Sequence, residues 1–245
     1  MHKAQLLIIK TGSSLHEASE RFGDFHHWFI NSLGAERFDF RVVSVHQDET
    51  LPELHPDLAG AIITGSPAMV SHRHAWSEET AAWLAVAHEQ GLPMLGVCYG
   101  HQLLAHALGG QVGPNPNGRR MGTFEVEIID ADDRLLGQFA PVRLFQATHV
   151  EAVLDPPPGA RVIAHSSGDP HHALYFGNAS WGLQFHPEFE VDIMECYIRS
   201  RDAVLAGEGI YTQPLLDALR PTPCGQAVLR RFAEIVDQAA SPAAS

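Results

Sequence analysis

The sequence has few of the residues that build disulfide frameworks or cysteine-based metal sites. Its three cysteines, Cys98, Cys196 and Cys224, follow no regular spacing and form no CxxC pair. Disulfide frameworks and zinc sites are recognised by regular cysteine spacing, so neither is indicated. Reduced thiols are typical of the cytoplasm, and we predict a cytoplasmic protein.

The sequence has few lysines and no long apolar run. The only lysines are Lys3 and Lys10, and no GxxxxGK[ST] phosphate-binding loop is present, so an ATP-driven synthetase within this chain is not expected. No run approaches the roughly 18 apolar residues of a membrane span, and the N-terminal apolar run is too short for a signal peptide. The formal net charge of −13 argues against nucleic acid and membrane surfaces as partners, because both require clustered Lys and Arg.

Histidine is abundant enough to suggest a metal site. The 16 histidines include the pairs His26/His27 and His171/His172 and a triplet at 72–74. None lies in an HExxH motif or in a Cys/His pattern with ligand spacing. We therefore predict no metal site, and no organic cofactor is required by the chemistry proposed below.

The first hundred residues alternate apolar strands with helical segments. Four runs are typical of buried parallel strands: 4–12, 38–45, 60–66 and 92–98. A helix is expected between the last two, with Ser77 as its N-cap and Gly91 at its end, and another over residues 101–108. This alternation predicts an α/β fold in which helices cover both faces of a mainly parallel sheet.

From residue 123 the pattern changes to short, closely spaced strands. We predict strands at 123–130, 142–153, 160–166, 172–177 and 180–186, with a hairpin turn at 177–179. Helices follow residue 189, and the last has Thr222 as its N-cap and Pro223 at its first position. Together these elements predict one mixed α/β domain over residues 1–190, with a helical extension, residues 191–245, packed on the same domain.

A cysteine between two glycines marks the junction of the fourth strand and the next helix. The segment "GVCYG", residues 96–100, has the form of a nucleophile elbow, in which glycines permit a sharp, strained turn that exposes the central side chain. The positive end of the following helix favours a thiolate at Cys98, and the N–H of Tyr99 points to where an oxyanion forms. Glycines also flank ordinary turns and cysteine is common in cores, so the elbow alone leaves both interpretations open.

A histidine and a carboxylate that suit such a nucleophile occur in "FHPEF", residues 185–189. In an extended segment, residues i and i+2 point to the same side, so Glu188 can hydrogen-bond the imidazole of His186 and fix its tautomer. Pro187 disfavours a helical His186 and helps keep that geometry. An oriented histidine is the base that a thiol nucleophile needs, whereas a surface turn of this sequence also occurs by chance.

The two motifs "GVCYGHQLLAHALGG" and "GLQFHPE" resemble the signatures of the class I glutamine amidotransferase family, above all those of the glutaminase domain of GMP synthase. The resemblance covers about residues 4–190 and implies the flavodoxin-like fold of that family. It also implies that Cys98 is the nucleophile, His186 the acid and base, and Glu188 the carboxylate that orients His186.

The resemblance extends to the residues that bind the substrate. The segment "TGSP" at 64–67 matches the turn that completes the family's oxyanion hole, which implies that the main-chain amides of Ser66 and Tyr99 hold the oxyanion. Ser66 stands where the family usually has glycine. Gly65, Gln102 and His149 are implied as substrate-binding residues, although the family's usual "SHGD" loop around the histidine is lost here.

This resemblance implies that Cys98 attacks the side-chain amide of glutamine and releases ammonia through a γ-glutamyl thioester. The ammonia goes to a separate synthetase subunit, or the protein is a stand-alone hydrolase of glutamine or other small γ-glutamyl compounds. The alternative of another class is a non-catalytic binding or regulatory module on the same fold. Such a module has no need to keep Cys98, His186 and Glu188 together.

Overall fold

The computed structural model describes residues 3–240, in which eleven strands form two sheets. The strands are β1 (Gln5–Lys10), β2 (Asp39–Ser44), β3 (Leu58–Ile63), β4 (Met94–Val97), β5 (Gln111–Pro114), β6 (Arg120–Ile128), β7 (Val142–His149), β8 (Glu151–Asp155), β9 (Arg161–Ser166), β10 (Asp169–Gly177) and β11 (Ser180–Leu183). Nine of them form a sheet in the order β2-β1-β3-β4-β11-β10-β9-β6-β7, and β5 pairs with β8.

The large sheet is parallel on one side and antiparallel on the other. The strands β2, β1, β3, β4 and β11 pair in parallel, and the remaining neighbours pair antiparallel. The change predicted at residue 123 is the start of the antiparallel part. Strand β11 comes late in the chain but returns to pair with β4, so the carboxyl ends of these two strands meet at the same edge of the sheet.

Eight helices lie among the described residues: α1 (His16–Phe22), α2 (Phe25–Leu33), α3 (Ala75–Glu89), α4 (Tyr99–Ala107), α5 (Val191–Ser200), α6 (Asp202–Gly207), α7 (Thr212–Ala218) and α8 (Cys224–Ala240). Single 3₁₀ turns occur at Val45–Gln47, Val70–His72 and Gly137–Phe139. None of the helices in this part of the chain combines the length and apolar character needed to cross a lipid bilayer.

Helices pack on both faces of the sheet. Alternate side chains of each strand point to opposite sides, so one strand contributes to the core on both faces. Leu6 and Ile8 of β1 pack in a cluster that includes residues of α2 and α8. Leu7 and Ile9 of the same strand pack in a second cluster, with residues of α3 and α4. The predicted α/β fold with a mixed, mainly parallel sheet and helices on both faces is confirmed.

Helix α8 packs against the sheet and contributes to the core. Val228, Leu229 and Phe232 of α8 are fully buried in the cluster that also holds Leu6 and Ile8. Residues 241–245 of the predicted extension lie outside the described residues. The division of the chain at residue 190 stays a prediction.

Two predicted helix caps are wrong, and one predicted strand is divided. Helix α3 begins at Ala75, so Ser77 lies within its first turn, where its hydroxyl hydrogen-bonds the phenol of Tyr99 (2.7 Å). Thr222 donates its hydroxyl to the carbonyl of Phe189 (3.4 Å) instead of capping α8, which begins at Cys224. The strand predicted at 142–153 breaks at Val150 into β7 and β8, which belong to different sheets. In each case contacts with distant residues decide the structure.

Candidate active site

Cys98 lies in a strained turn between β4 and α4. Its backbone has φ 53° and ψ −102°, a conformation that a residue with a side chain rarely adopts. A Cβ on Gly96 would come within 2.3 Å of the carbonyl oxygen of Gly100, and a Cβ on Gly100 within 2.3 Å of the oxygen of Ile63. Both positions therefore require glycine, as the elbow motif predicts.

The elbow is tied to the neighbouring strand that leads to the histidine. The N–H of Cys98 donates to the carbonyl of Leu183 (2.8 Å), the last residue of β11. The chain then continues through His186, whose N–H donates to the carbonyl of Gln146 on β7 (2.8 Å). Pairing of β11 with β4 thus brings two sequence motifs 88 residues apart to one place.

His186 and Glu188 form a buried pair. Nδ1 of His186 lies 2.7 Å from Oε1 of Glu188, and the two residues are 3% and 4% exposed. The contact predicted between residues i and i+2 is present, but a turn makes it, since the N–H of Phe189 donates to the carbonyl of His186 (3.3 Å). The extended geometry predicted for this segment is present at His186, which pairs with Gln146 in an isolated bridge, and is wrong from Pro187 on, where the turn begins.

The ring of His186 is fixed from several sides. It stacks on the ring of Phe189 with the centroids 4.1 Å apart. On another side it lies over Gly65, where a Cβ would come within 3.0 Å of its Cε1 atom. The bond from Nδ1 to the carboxylate of Glu188 leaves Nε2 as the ring nitrogen available for chemistry.

Charge decides the protonation of this histidine. Burial lowers the pKa of His186, but the electrostatic and hydrogen-bond interactions with Glu188 and Cys98 outweigh it and raise the pKa to about 10. A protonated His186 with a carboxylate behind it stabilises a negative charge on the neighbouring sulfur. The thiol of Cys98 itself is buried, 7% exposed, and lies 3.6 Å from the carbonyl of Thr148.

Cys98 and His186 line a cavity of about 100 Å³. The cavity is also lined by four of the predicted oxyanion and substrate-binding residues, Ser66, Tyr99, Gln102 and His149. Gly65 is not part of the lining, because it lies beneath the ring of His186. Glu188 stands behind His186 and does not reach the cavity either.

Two main-chain amides beside the cavity are free to donate. Neither the N–H of Ser66 nor that of Tyr99 has an acceptor within the described part of the chain. The side chain of Ser66 is turned away from this task, since its hydroxyl donates to the carbonyl of Thr11 (2.7 Å) and accepts from the N–H of Ala68 (3.1 Å). The phenol of Tyr99 is bonded to Ser77, and burial raises its pKa to about 12.

Gln102 and His149 belong to one buried network. The amide nitrogen of Gln102 donates to the carbonyl of Glu151 (2.8 Å) and to the side chain of Gln184 (2.9 Å). Both of its N–H groups are thereby used, which leaves the oxygen of Gln102 for a ligand. Nδ1 of His149 donates to the same carbonyl of Glu151 (2.9 Å).

Behind His149 lies a buried cluster with metal-ligating side chains. Ligand atoms of His149, Asp169 and His172 lie within 4.8 Å of one another. Burial raises the pKa of Asp169, but the hydrogen bond from His172 and the nearby imidazoles lower it to about 2, while burial lowers the pKa of His149 to about 4. His172 and Asp169 hydrogen-bond each other (2.8 Å), so two of the three possible ligands already have a partner, and we assign no metal to the cluster. The predicted lack of a metal site stays a prediction.

Several cavity residues were not predicted from the sequence, and three of them form what we call the arginine group: Arg119, Tyr197 and Arg201. Arg119 precedes β6, Tyr197 lies in α5, and Arg201 follows α5 directly. Tyr197 and Arg201 are four residues apart, a spacing that places them on one face of a helix. That spacing was the only signal in the sequence, and it is equally typical of a solvated helix face.

A family model provides the first comparison with known proteins. Residues 20–200 match the model described as "Glutamine amidotransferase class-I". The matched range contains both motifs that the sequence analysis singled out.

Two similar curated proteins are GMP synthases or subunits of one. A GMP synthase [glutamine-hydrolyzing] from Aeropyrum pernix is 37% identical over 140 residues, which are 57% of this chain and 26% of that protein. A GMP synthase [glutamine-hydrolyzing] subunit from Saccharolobus solfataricus is 31% identical over 170 residues, 68% of this chain and 85% of the relative. The alignment thus spans about a quarter of the Aeropyrum enzyme but most of the Saccharolobus subunit.

Solved structures of the same kind share the fold. A glutamine amidotransferase from Thermotoga maritima superimposes with a TM-score of 0.76 at 20% identity and covers 96% of this chain and 99% of its own. A glutamine amidotransferase from Methylobacillus flagellatus gives 0.71 at 22% identity, over 98% and 94% of the two chains. Together with the family model and the sequence relatives, the fold leads to one conclusion: this chain belongs to the class I glutamine amidotransferase family.

Proposed function

We propose that this protein hydrolyses the side-chain amide of glutamine, or of a small γ-glutamyl compound, through a covalent thioester on Cys98. One observation carries the proposal: a strained, glycine-flanked cysteine shares a cavity with a histidine that is oriented by a buried carboxylate. A binding module has no need for this combination, because neither the backbone strain at Cys98 nor the raised pKa of His186 improves the binding of a ligand.

In the first step the sulfur of Cys98 attacks the amide carbon and forms a C–S bond. The amides of Ser66 and Tyr99 hold the oxyanion, and they are available for it because neither is used within the described residues. His186 then gives the proton on Nε2 to the amide nitrogen, the C–N bond breaks, and ammonia leaves.

In the second step water attacks the γ-glutamyl thioester. His186 takes a proton from the water, a C–O bond forms, and the C–S bond breaks to release glutamate and restore the sulfur of Cys98. Glu188 acts on both steps through His186, because its bond to Nδ1 keeps Nε2 directed toward the reaction.

The proposal is tested by ammonia release from purified protein offered glutamine, together with labelling by a glutamine-like diazoketone. We expect one label per chain, on Cys98, because Cys196 and Cys224 have neither an elbow nor a histidine partner of this kind. Equal labelling of Cys196 or Cys224 would contradict the assignment. Absence of both labelling and hydrolysis would favour a non-catalytic module.

We further propose that ammonia passes to a separate synthetase subunit. The support is the name of relatives such as the Saccharolobus protein, one subunit of a GMP synthase, together with the absence of a GxxxxGK[ST] loop in this chain. The isolated protein is then expected to hydrolyse glutamine well below the median enzyme turnover of about 10 per second. Cell extract of the source organism should raise the turnover without changing the labelled cysteine.

The second candidate is a stand-alone hydrolase of γ-glutamyl amides or peptides. Full enzymatic speed without extract would favour it over the subunit. The observation in its favour is the arginine group, which brings positive charge to the cavity that the hydrolysis of an amide bond does not itself require.

A further inference from the structure

Two guanidinium groups reach the cavity, and within residues 3–240 only one of them forms an ion pair. Arg119 donates from Nε and Nη2 to the two carboxylate oxygens of Glu208, at 2.7 and 2.8 Å. Arg201 has no carboxylate within 4 Å and no side-chain hydrogen bond in the part of the chain that the structure describes. Among the described residues, the arginine group therefore carries one guanidinium without an ion pair, although Glu208 and Tyr197 lie near enough to interact with its charge.

Arg201 is not an ordinary surface arginine. Its Nε atom is buried and unpartnered, while its side chain lines the same cavity as Cys98. Burial and the neighbouring Arg119 lower the pKa of Arg201, and they outweigh the opposite effect of Tyr197, Glu208 and Cys98. An arginine stays protonated even so, and an unpaired buried N–H of a charged group is costly. Such a cost is expected where a ligand supplies the missing anion.

The form of the side chain indicates the kind of anion. A guanidinium presents its N–H groups in a planar fork that matches a carboxylate, and Arg119 and Glu208 show this pairing beside Arg201. Any γ-glutamyl compound brings at least one carboxylate to the cavity, on the α-carbon. A γ-glutamyl peptide brings a second one on its leaving group.

We propose that Arg201 forms an anion subsite of the active site, which binds a carboxylate of the γ-glutamyl substrate and so selects among such substrates. The proposal rests on the proposed function of Cys98. The Gln102–Glu151–His149 network shares no hydrogen bond with Arg201 within the described residues, so the subsite is separate from that network. Residue 201 also lies just after the last residue of the family match, 200.

Two sources of the carboxylate are distinguished by three substrates. L-Glutamine has only the α-carboxylate, γ-glutamylglycine adds a carboxylate on the leaving group, and γ-glutamylglycinamide has the same leaving group without the charge. Initial rates of glutamate release are measured for each, with the wild type and the variants Arg201→Gln and Arg201→Lys. Arg199→Gln is the matched control, because Arg199 is exposed, pairs with Glu195 on α5 and does not line the cavity.

If Arg201 binds the leaving group, Arg201→Gln lowers kcat/KM for γ-glutamylglycine by roughly ten- to a hundredfold and leaves the other two substrates within twofold. If it binds the α-carboxylate, all three values fall by that factor. Either result supports the subsite, and Arg201→Lys should recover part of the loss because it restores the charge but not the fork.

The subsite is overturned if Arg201→Gln behaves like Arg199→Gln on every substrate. Calorimetric binding of γ-glutamylglycine to Cys98→Ala, with and without Arg201→Gln, gives the same comparison should turnover be too slow to measure. Equal dissociation constants for the two proteins would again overturn the proposal. A wild type that is neither labelled on Cys98 nor active on any substrate contradicts the proposed function instead, and the subsite falls with it.

Discussion

Two groups of residues contribute side chains to the same cavity but are held in opposite ways. Cys98, His186 and Glu188, which we propose to be catalytic and call the catalytic group, are buried and fixed by strand pairing, by glycines and by a carboxylate at 2.7 Å. The arginine group lies on the edge of helix α5 and before β6, and its one ion pair is to the half-exposed Glu208. The comparison teaches that the side chains proposed to do the chemistry are already held in place by the protein, whereas Arg201 lacks an ion pair among the described residues, which we propose a ligand supplies.

The largest effect should follow from removing the nucleophile or its base. Cys98→Ala and His186→Ala are each expected to lower kcat by at least about a thousandfold on every substrate, because the two groups act as a unit. Losses on every substrate that are far larger than those of Arg201→Gln would separate these residues from Arg201. Ammonia and glutamate release are the measurements.

Cys196→Ala is the control for this prediction. Cys196 is a buried thiol, 5% exposed, that packs in the cluster beneath α5 and does not line the cavity. Its loss should leave kcat unchanged and reduce only stability. Residual activity of Cys98→Ala near that of Cys196→Ala would show that another residue attacks the substrate.

The catalytic group was predictable because its residues lie in two short sequence motifs. Only glycine fits at positions 96 and 100, where a Cβ would contact backbone atoms at 2.3 Å, so the elbow is visible in the sequence itself. The apolar runs of β1, β3 and β4 are visible for the same kind of reason, since parallel strands buried on both faces carry few polar residues. The prediction of a buried strand at 38–45 is wrong in its burial, because β2 lies at the edge of the sheet and exposes Asp39 and Arg41. His186 and Glu188 were also found, although by way of an extended segment that is a turn in the structure.

The rest could not be predicted because it depends on distant contacts. Arg119 and Glu208 are 89 residues apart, and nothing local indicates that they pair beside Arg201. Ser77 has the residue type of a helix cap, but the hydroxyl of Tyr99 decides its place. Helix α2 was missed because its capping box joins Asp24 to His27, where sequence rules look for Glu or Gln.

The next effect concerns the carboxylate behind the base. Glu188→Gln keeps the shape of the side chain but removes the charge that raises the pKa of His186 against burial. We expect kcat to fall by roughly ten- to a hundredfold, as for other residues that act through a ligating or catalytic histidine. The alkaline limb of the kcat profile should move to lower pH, because His186 then loses its proton more readily.

The same change links stability to pH. The pKa of His186, about 10 in the folded protein, lies above its ordinary value of 6.5. The stability that this gives is fully present below pH 6.5 and is lost as the pH rises through 10. The difference in free energy of unfolding between wild type and Glu188→Gln should therefore shrink over this range in denaturant titrations. A constant difference would assign Glu188 to packing alone.

A smaller effect tests the strain that distinguishes the catalytic group from the arginine group. Cys98→Gly and Cys98→Ala both lack the sulfur, but only glycine adopts φ 53° without conflict between its side chain and the backbone. We expect the glycine variant to be more stable to denaturant than the alanine variant by about 1 kcal/mol. Arg201→Gln, in unstrained backbone, should stay within about 0.5 kcal/mol of the wild type. Equal stability of the two Cys98 variants would mean that the elbow stores no strain.

The smallest effect is expected at Ser66, in the turn that we propose completes the oxyanion hole. Its hydroxyl is already bonded to Thr11 and Ala68. Because the proposed donor is the main-chain N–H, which every residue except proline has, Ser66→Ala and Ser66→Gly should each keep kcat within about threefold of the wild type. The alanine variant removes only the hydroxyl, whereas the glycine variant also makes the backbone of the turn more flexible. Comparison of their rates therefore separates the effect of the hydroxyl from that of backbone flexibility. A loss above tenfold in both variants would place the hydroxyl itself among the donors to the oxyanion, and a loss in the glycine variant alone would show that Ser66 serves to hold the turn in shape.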